Sequence, residues 1–136
     1  MIHQFNFPTV VRFGEGVVRE LGDYLKSQVS QRPLLITDGV VAKLAFFEKI
    51  MTDLKQQGLS PELFCDISKN PVKSDVTKGN RAYHEHENDA IIGLGGGAAM
   101  DVARAVALSI NNTRDLLEYD ELTGGDQYFT EPVPLF

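Results

Sequence analysis

The sequence predicts an α/β fold in which a mostly parallel sheet is flanked by helices, and two observations lead to it. Short apolar segments with strand character alternate at least three times with segments of helical spacing, a pattern typical of layered α/β domains. The segment AIIGLGGGAAMD, residues 90–101, also places three consecutive glycines between a predicted strand and a predicted helix. We therefore expect a Rossmann-like sheet that binds ligands beyond the carboxyl ends of its strands.

The chain opens with an extended segment and a first helix. Val10, Val11 and Phe13 predict a strand that ends at the following glycines. From Val17 onward, apolar residues recur every three or four positions and charged residues fill the other side. This spacing predicts an amphipathic helix.

A buried strand and a strong helix follow. PLLITD, residues 33–38, is a short apolar run, which predicts a strand covered on both faces. Residues 41–57 predict a helix because large apolar side chains repeat every three or four positions, and Gly58 is a plausible stop.

The second half of the chain continues the alternation. Its predicted elements are a strand at 61–67, a helix at 74–87, a strand at 90–95 and a largely apolar, buried helix at 101–110. Polar residues then predict a loop with a short turn at Leu116–Tyr119, and PVPLF at the end begins another strand. Three loops, after Asp38, Asp66 and Leu94, should meet at the ligand-binding edge of the sheet.

Length, charge and cysteine content restrict the classes of function. The 136 residues fit one domain, 1–136, that can bury a core. A formal charge of -6 argues against a general nucleic-acid binder. No apolar run approaches the ~20 residues of a membrane span, and we see no signal-peptide pattern. Cys65 is the single cysteine, so an internal disulfide is excluded and a cytoplasmic location is the default expectation.

The glycine segment predicts a phosphate-binding loop. Gly93, Gly95 and Ala98 satisfy the G-x-G-x-x-G/A spacing, and a helix that begins after them would offer free amides and a partial positive charge to a phosphate. The alternative is a tight turn that needs glycine only for close packing. Three adjacent glycines exceed what a simple turn requires.

Three polar residues accompany this loop, and each has a structural alternative. Asp38, at a strand end, suits a ribose that offers hydroxyl groups, but it also suits the N-cap of the next helix. Asn70 suits a sugar or amide ligand, or a plain Asn-Pro turn. Asp101, in the expected first turn of the last helix, would bond the glycine amides or favour the helix dipole, and Arg104 is placed to pair with it.

HEHEND, residues 84–89, lacks the spacing of a metal site and is interpreted as a solvated helix end.

Four segments together resemble the iron-containing, group III alcohol dehydrogenase family. GLGGGAAMDVARAVAL is similar to its G-G-G-S-x-x-D-x-A-K segment. LLITDG before a helix, NPVKSDV, and the opening VVRFGEGVVRELG resemble three further landmarks in the same order. The resemblance covers essentially the whole chain. Glycerol dehydrogenases and dehydroquinate synthases are more distant relatives that have the same nucleotide-binding layer.

The resemblance implies the N-terminal, NAD(P)-binding domain of a two-domain enzyme. Such an enzyme passes a hydride between the nicotinamide and a primary alcohol or aldehyde, and its C-terminal helical domain holds a divalent metal, iron or zinc. Asp38 matches the acid near the adenosine ribose, which favours NAD over NADP. The implied cofactor-binding residues are Asp38, Asn70, Gly95, Gly96, Gly97, Ala98 and Asp101. Ala98, Arg104 and Val72 replace the family's serine, lysine and threonine, which should affect how strongly the cofactor binds.

The resemblance also carries expectations about the whole enzyme. Family members continue past PVPLF into a further strand, a T-T-x-x-G-x-G loop and the metal-binding domain, so we expect a truncated domain that is catalytically silent alone. A homodimer through Phe5–Phe13 is a further implication. Two other classes stay open: a non-catalytic nucleotide- or phosphate-binding module, and a remnant that acts only through association.

Overall fold

The computed structural model describes residues 10–136. Three strands alternate with four helices in this part of the chain: α1 (Leu21–Ser27), β1 (Pro33–Ile36), α2 (Ala45–Gln56), β2 (Glu62–Phe64), α3 (Lys73–Glu85), β3 (Ala90–Gly93) and α4 (Gly97–Asn111). Short 3-10 turns lie at Val17–Glu20 and Val41–Lys43, and three more follow α4, the first of them at the predicted Leu116–Tyr119. No helix within this part is long and apolar enough to cross a bilayer.

The three strands form one parallel sheet in the order β2-β1-β3, which confirms the predicted α/β class. The central strand β1 pairs Leu35 with Leu63 on one side and with Ile92 on the other. The chain end adds the beginning of a fourth strand, because Leu135 forms a parallel bridge with Ala90. The predicted strand at residues 132–136 is thus present as a single bridge beside β3.

The sheet lies between two apolar clusters, because successive side chains of a strand point to opposite faces. Leu34 and Ile36 of β1 face a cluster that includes Val102 and Val106 of α4. Leu35 faces the other cluster, with Leu25 of α1 and residues of α2. All four residues of β1 are buried, as the apolar run PLLI predicts.

One predicted strand is absent from the described residues, and the predicted start of the last helix was wrong. Val10, Val11 and Phe13 form no strand, and their side chains are 85%, 81% and 100% exposed, because no neighbouring strand pairs with them among residues 10–136. The last helix begins at Gly97 rather than at Asp101, so the glycine segment enters the helix itself. The predicted dimer segment Phe5–Phe13 lies mostly outside the described residues.

The carboxyl ends of the strands bring three loops to one edge, as the sequence predicted. The N–H of Leu94 donates to the carbonyl of Ile36 at 2.9 Å, and the N–H of Thr37 donates to the carbonyl of Phe64 at 3.1 Å. The segments that follow β1, β2 and β3 therefore start side by side. This edge, called here the carboxyl edge, carries the candidate site.

Candidate functional site

Two of the four glycines at the carboxyl edge are explained by the fold itself. A Cβ atom at Gly93 would lie 2.9 Å from the Cβ of Ala103, so this glycine lets α4 pack closely on β3. Gly95 has a φ of +137°, a conformation that side chains rarely permit. A Cβ at Gly96 or Gly97, by contrast, would meet no atom of the described chain within 4 Å, apart from its chain neighbours and the adjacent helix backbone. Packing and backbone conformation therefore explain the first two glycines but leave open space above the last two.

The start of α4 offers free backbone amides to that open space. Gly96 is the N-cap residue, no side chain of residues 10–136 caps this end, and no acidic residue lies in the first turn. The first amide that bonds within the helix is that of Met100, which donates to the carbonyl of Gly96 at 3.1 Å. The preceding amides of the helix can therefore donate to an anion, with the helix dipole in support.

Asp38 caps its own loop with one carboxylate oxygen, and the other oxygen has no partner among residues 10–136. Its Oδ1 accepts hydrogen bonds from the N–H groups of Val40 at 2.8 Å and Val41 at 2.9 Å. Its Oδ2 accepts none within the described chain and lies 3.7 Å from the position of a Cβ at Gly95. The capping alternative is thus present, and it still leaves an acceptor beside the glycine turn.

An open cleft lies between Asp38 and the first turn of α4. It has a volume of about 650 Å³ and is lined by Asp38–Val41, Lys43, Ile67–Lys69 and Ala98. A smaller apolar cleft of about 210 Å³ lies between α1 and α2 and contains none of the predicted site residues. The larger cleft is the one that adjoins the free amides and the free oxygen of Asp38.

Asn70 and Asp101 are less directly placed than predicted. Asn70 is exposed in the loop between β2 and α3, and the preceding residues Ile67–Lys69 line the cleft in its place. Asp101 lies in the second turn of α4, because the helix starts four residues earlier than expected. Its exposed carboxylate pairs with Arg104, 3.7 Å away, as the spacing predicted. It makes no hydrogen bond to the glycine amides in the described part of the chain.

Sequence reasoning missed Asp75, which fixes the loop that carries Asn70. Asp75 is only 1% exposed, and its Oδ2 accepts the N–H groups of Ser68 at 3.1 Å and Val72 at 3.0 Å. The Ser68 hydroxyl donates to the other oxygen. Burial alone would raise the pKa of Asp75, but these hydrogen bonds and the charge of Lys78 outweigh it and hold the pKa below its usual value. An acid three residues after Val72, at the start of a helix, was the available signal.

The described histidines and the single cysteine form no cluster. His84 and His86 are both exposed at the end of α3, and Cys65 is half-buried just after β2. Within residues 10–136, no three histidine, cysteine, aspartate or glutamate side chains lie close enough to hold a metal ion.

Comparisons with known proteins agree on one family. The family model described as iron-containing alcohol dehydrogenase matches residues 8–136. The chain is 30% identical over 132 residues to alcohol dehydrogenase 4 of Saccharomyces cerevisiae strain YJM789, a match that covers 97% of this chain and 34% of that protein. It is 26% identical to the NAD-dependent methanol dehydrogenase of Bacillus methanolicus, covering 85% of this chain and 30% of that one.

A solved structure shows the same architecture. NADH-dependent butanol dehydrogenase A from Thermotoga maritima superposes with a TM-score of 0.76 at 25% identity, covering 86% of this chain and 30% of that one. The chain thus spans about one third of the length of the relatives it matches.

Proposed function

Because the chain belongs to the iron-containing alcohol dehydrogenase family, we propose that it binds NAD for a metal-dependent alcohol dehydrogenase. The observation that carries the proposal is the open space above Gly96 and Gly97. Packing within the described chain would tolerate a side chain at either position, so it does not explain these two glycines. A pyrophosphate that approaches the backbone gives a physical reason for both glycines. The NAD-dependent and NADH-dependent names of two relatives support the same cofactor.

Different residues of the carboxyl edge would bind different parts of the cofactor. The free amides at the start of α4 would donate to the pyrophosphate, and the small Ala98 would let it approach. The free Oδ2 of Asp38 would accept from a hydroxyl of the adenosine ribose, and its charge would repel a 2′-phosphate. Asn70 would contact the cofactor from the opposite loop. Asp101 would act at longer range, through its pair with Arg104.

The bound nicotinamide would exchange a hydride with a primary alcohol or its aldehyde. The divalent metal that the family resemblance implies, iron or zinc, would be held by the C-terminal part of the enzyme, beyond the segment that matches this chain. We therefore expect the chain to bind cofactor without turning over alcohol by itself. The cytoplasmic location stays a prediction from the single cysteine, and the homodimer stays one from the family resemblance.

Calorimetry with NADH, NADPH and AMP tests the proposal. We expect NADH to bind more tightly than NADPH or AMP. Asp38→Ser keeps an oxygen that can cap Val40 and Val41 but removes the free carboxylate oxygen and the charge. It should weaken NADH about tenfold, equivalent to ~1.4 kcal/mol, and remove the discrimination against NADPH.

The matched control is Asp66→Ser, which removes the same charge from an exposed carboxylate that pairs with Lys78 outside the cleft. It should leave both affinities unchanged. AMP that binds as tightly as NADH would favour the phosphate-binding module instead. A folded chain that binds none of the three would contradict both functions.

A further inference from the structure

Thr37 is a buried polar residue whose hydroxyl has no hydrogen-bond partner among residues 10–136. The residue is 0% exposed, directly after β1, and its N–H continues the sheet by donating to the carbonyl of Phe64. Its Oγ1 makes no hydrogen bond to any atom of residues 10–136. An unpaired buried hydroxyl costs free energy, and a valine of almost the same shape would avoid that cost. The fold of the described chain therefore gives no reason for threonine at this position.

The unpaired hydroxyl lies beneath the glycine turn. Its oxygen is 3.6 Å from the position that a Cβ would take at Gly95, and the free Oδ2 of Asp38 is 3.7 Å from the same point. The only other unpaired buried side-chain atom in the described chain is Oδ1 of Asn88. That amide is already half satisfied, because its Nδ2 donates to the carbonyl of Arg32. Thr37 has a single polar group, and it is placed where the ligand-binding turn could reach it.

We propose that the Thr37 hydroxyl forms its hydrogen bond only when the dinucleotide is bound, by pairing with a backbone group of the turn Gly95–Gly97. Since Thr37 is fully buried, it acts through the turn rather than by touching the cofactor. It is a positioning residue that stabilises the loaded conformation of the turn. The inference rests on the proposed function and adds to it a residue that couples cofactor binding to the backbone of the glycine turn.

The test separates stability from affinity. Thr37→Val removes the hydroxyl and keeps the shape, whereas Thr37→Ser keeps the hydroxyl. Without cofactor, the urea midpoint of Thr37→Val should equal or exceed that of the wild type, because the hydroxyl has no bond to lose. The NADH affinity of Thr37→Val should fall about tenfold, and that of Thr37→Ser should stay within about twofold of the wild type.

Thr77→Val is the matched control, since Thr77 is exposed on α3 and its hydroxyl already donates to the carbonyl of Lys73. Its NADH affinity should not change. Unchanged affinity in Thr37→Val, a lower urea midpoint without cofactor, or a failure of Thr37→Ser to restore binding would each overturn the inference while leaving NAD binding intact. A wild-type chain that binds no dinucleotide would overturn the proposed function and this inference together.

Discussion

The two edges of the sheet use aspartates differently. At the amino edge, where the strands begin, Asp89 accepts hydrogen bonds from the Ser30 hydroxyl at 2.7 Å and from the N–H groups of Gln31 at 2.8 Å and Arg32 at 3.0 Å. At the carboxyl edge, Asp38 accepts two N–H groups with one oxygen and leaves the other unused within the described chain. The carboxylate of the amino edge is satisfied by hydrogen bonds within the fold. The carboxyl edge, by contrast, has a carboxylate oxygen and backbone N–H groups that find no partner among residues 10–136.

This difference separates a stabilising carboxylate from one available to a ligand. Burial alone would raise the pKa of Asp89, but its hydrogen bonds and the charge of Arg32 outweigh that effect and hold the pKa below its usual value. A lowered pKa means that the folded chain favours the ionised form, which adds to stability. Substitutions at the amino edge should therefore affect unfolding, and substitutions at the carboxyl edge should affect binding.

The largest effect is expected for Asp89→Ala. Its loss leaves the Ser30 hydroxyl and two backbone N–H groups without their acceptor, which should lower the free energy of unfolding by about 2–3 kcal/mol. NADH affinity of the folded variant should stay within about twofold of the wild type. Urea unfolding and calorimetry measure the two quantities. A variant of normal stability with impaired binding would reverse the assignment of the two edges.

A slightly smaller effect is expected for Asp75→Ala, which tests whether a satisfied carboxylate can also support the binding edge. Removing the acceptor of Ser68 and Val72 should cost about 2 kcal/mol of stability. It should also weaken NADH severalfold, because Ile67–Lys69 form one wall of the cleft. Asp75→Asn is the matched variant, since its amide oxygen can still accept both N–H groups. If Asp75→Asn loses as much stability and NADH affinity as Asp75→Ala, the charge of Asp75 rather than its hydrogen bonding fixes the loop.

The sequence predicted the buried strands of the fold better than it predicted the individual polar residues that form the site. PLLI and AIIG are short apolar runs, so their strands and the loops that follow them were predictable from local pattern. The strand predicted from Val10, Val11 and Phe13 was wrong, because strand character does not guarantee a partner strand and none pairs with these residues in the described part of the chain. Local pattern also could not identify Asp89, whose partners lie 57–59 residues earlier in the chain.

In the candidate site too, local sequence patterns identified some residues and could not identify others. The glycines and Asp38 were found because their spacing follows a motif. Thr37 was not singled out, because an unpaired hydroxyl is recognisable only when the neighbouring atoms are known. Asp101 was placed one turn too early because glycine does not mark where a helix begins as clearly as a polar cap does.

Acid should weaken the two loops that Asp75 and Asp89 hold by less than deletion of either carboxylate does. The pKa values of Asp75 and Asp89 are lowered in the folded chain, so their contributions to stability are complete above the unfolded pKa of about 3.9. These contributions are lost as the pH falls through the lower folded pKa values. A protonated carboxyl keeps one acceptor oxygen, so the loss stays partial. In urea unfolding measured from pH 7 to pH 3, the midpoint should decrease once the pH is below about 4. The decrease should be smaller for Asp89→Asn.

The smallest effect on stability, and the sharpest contrast with the amino edge, is expected for Gly97→Ala. Apart from its chain neighbours and its own helix backbone, its Cβ would meet no atom of the described chain within 4 Å. Because alanine also favours the helix, stability should rise by about 0.5 kcal/mol. Because a Cβ tilts toward the start of its helix, the new methyl would enter the space proposed for the pyrophosphate and weaken NADH severalfold. Gly95→Ala is the control of opposite sign, since its φ of +137° and the 3.2 Å approach to the Ala99 Cβ should make it destabilising. A Gly97→Ala variant that gains stability and keeps its NADH affinity would mean that the open space above the turn is not where the cofactor binds.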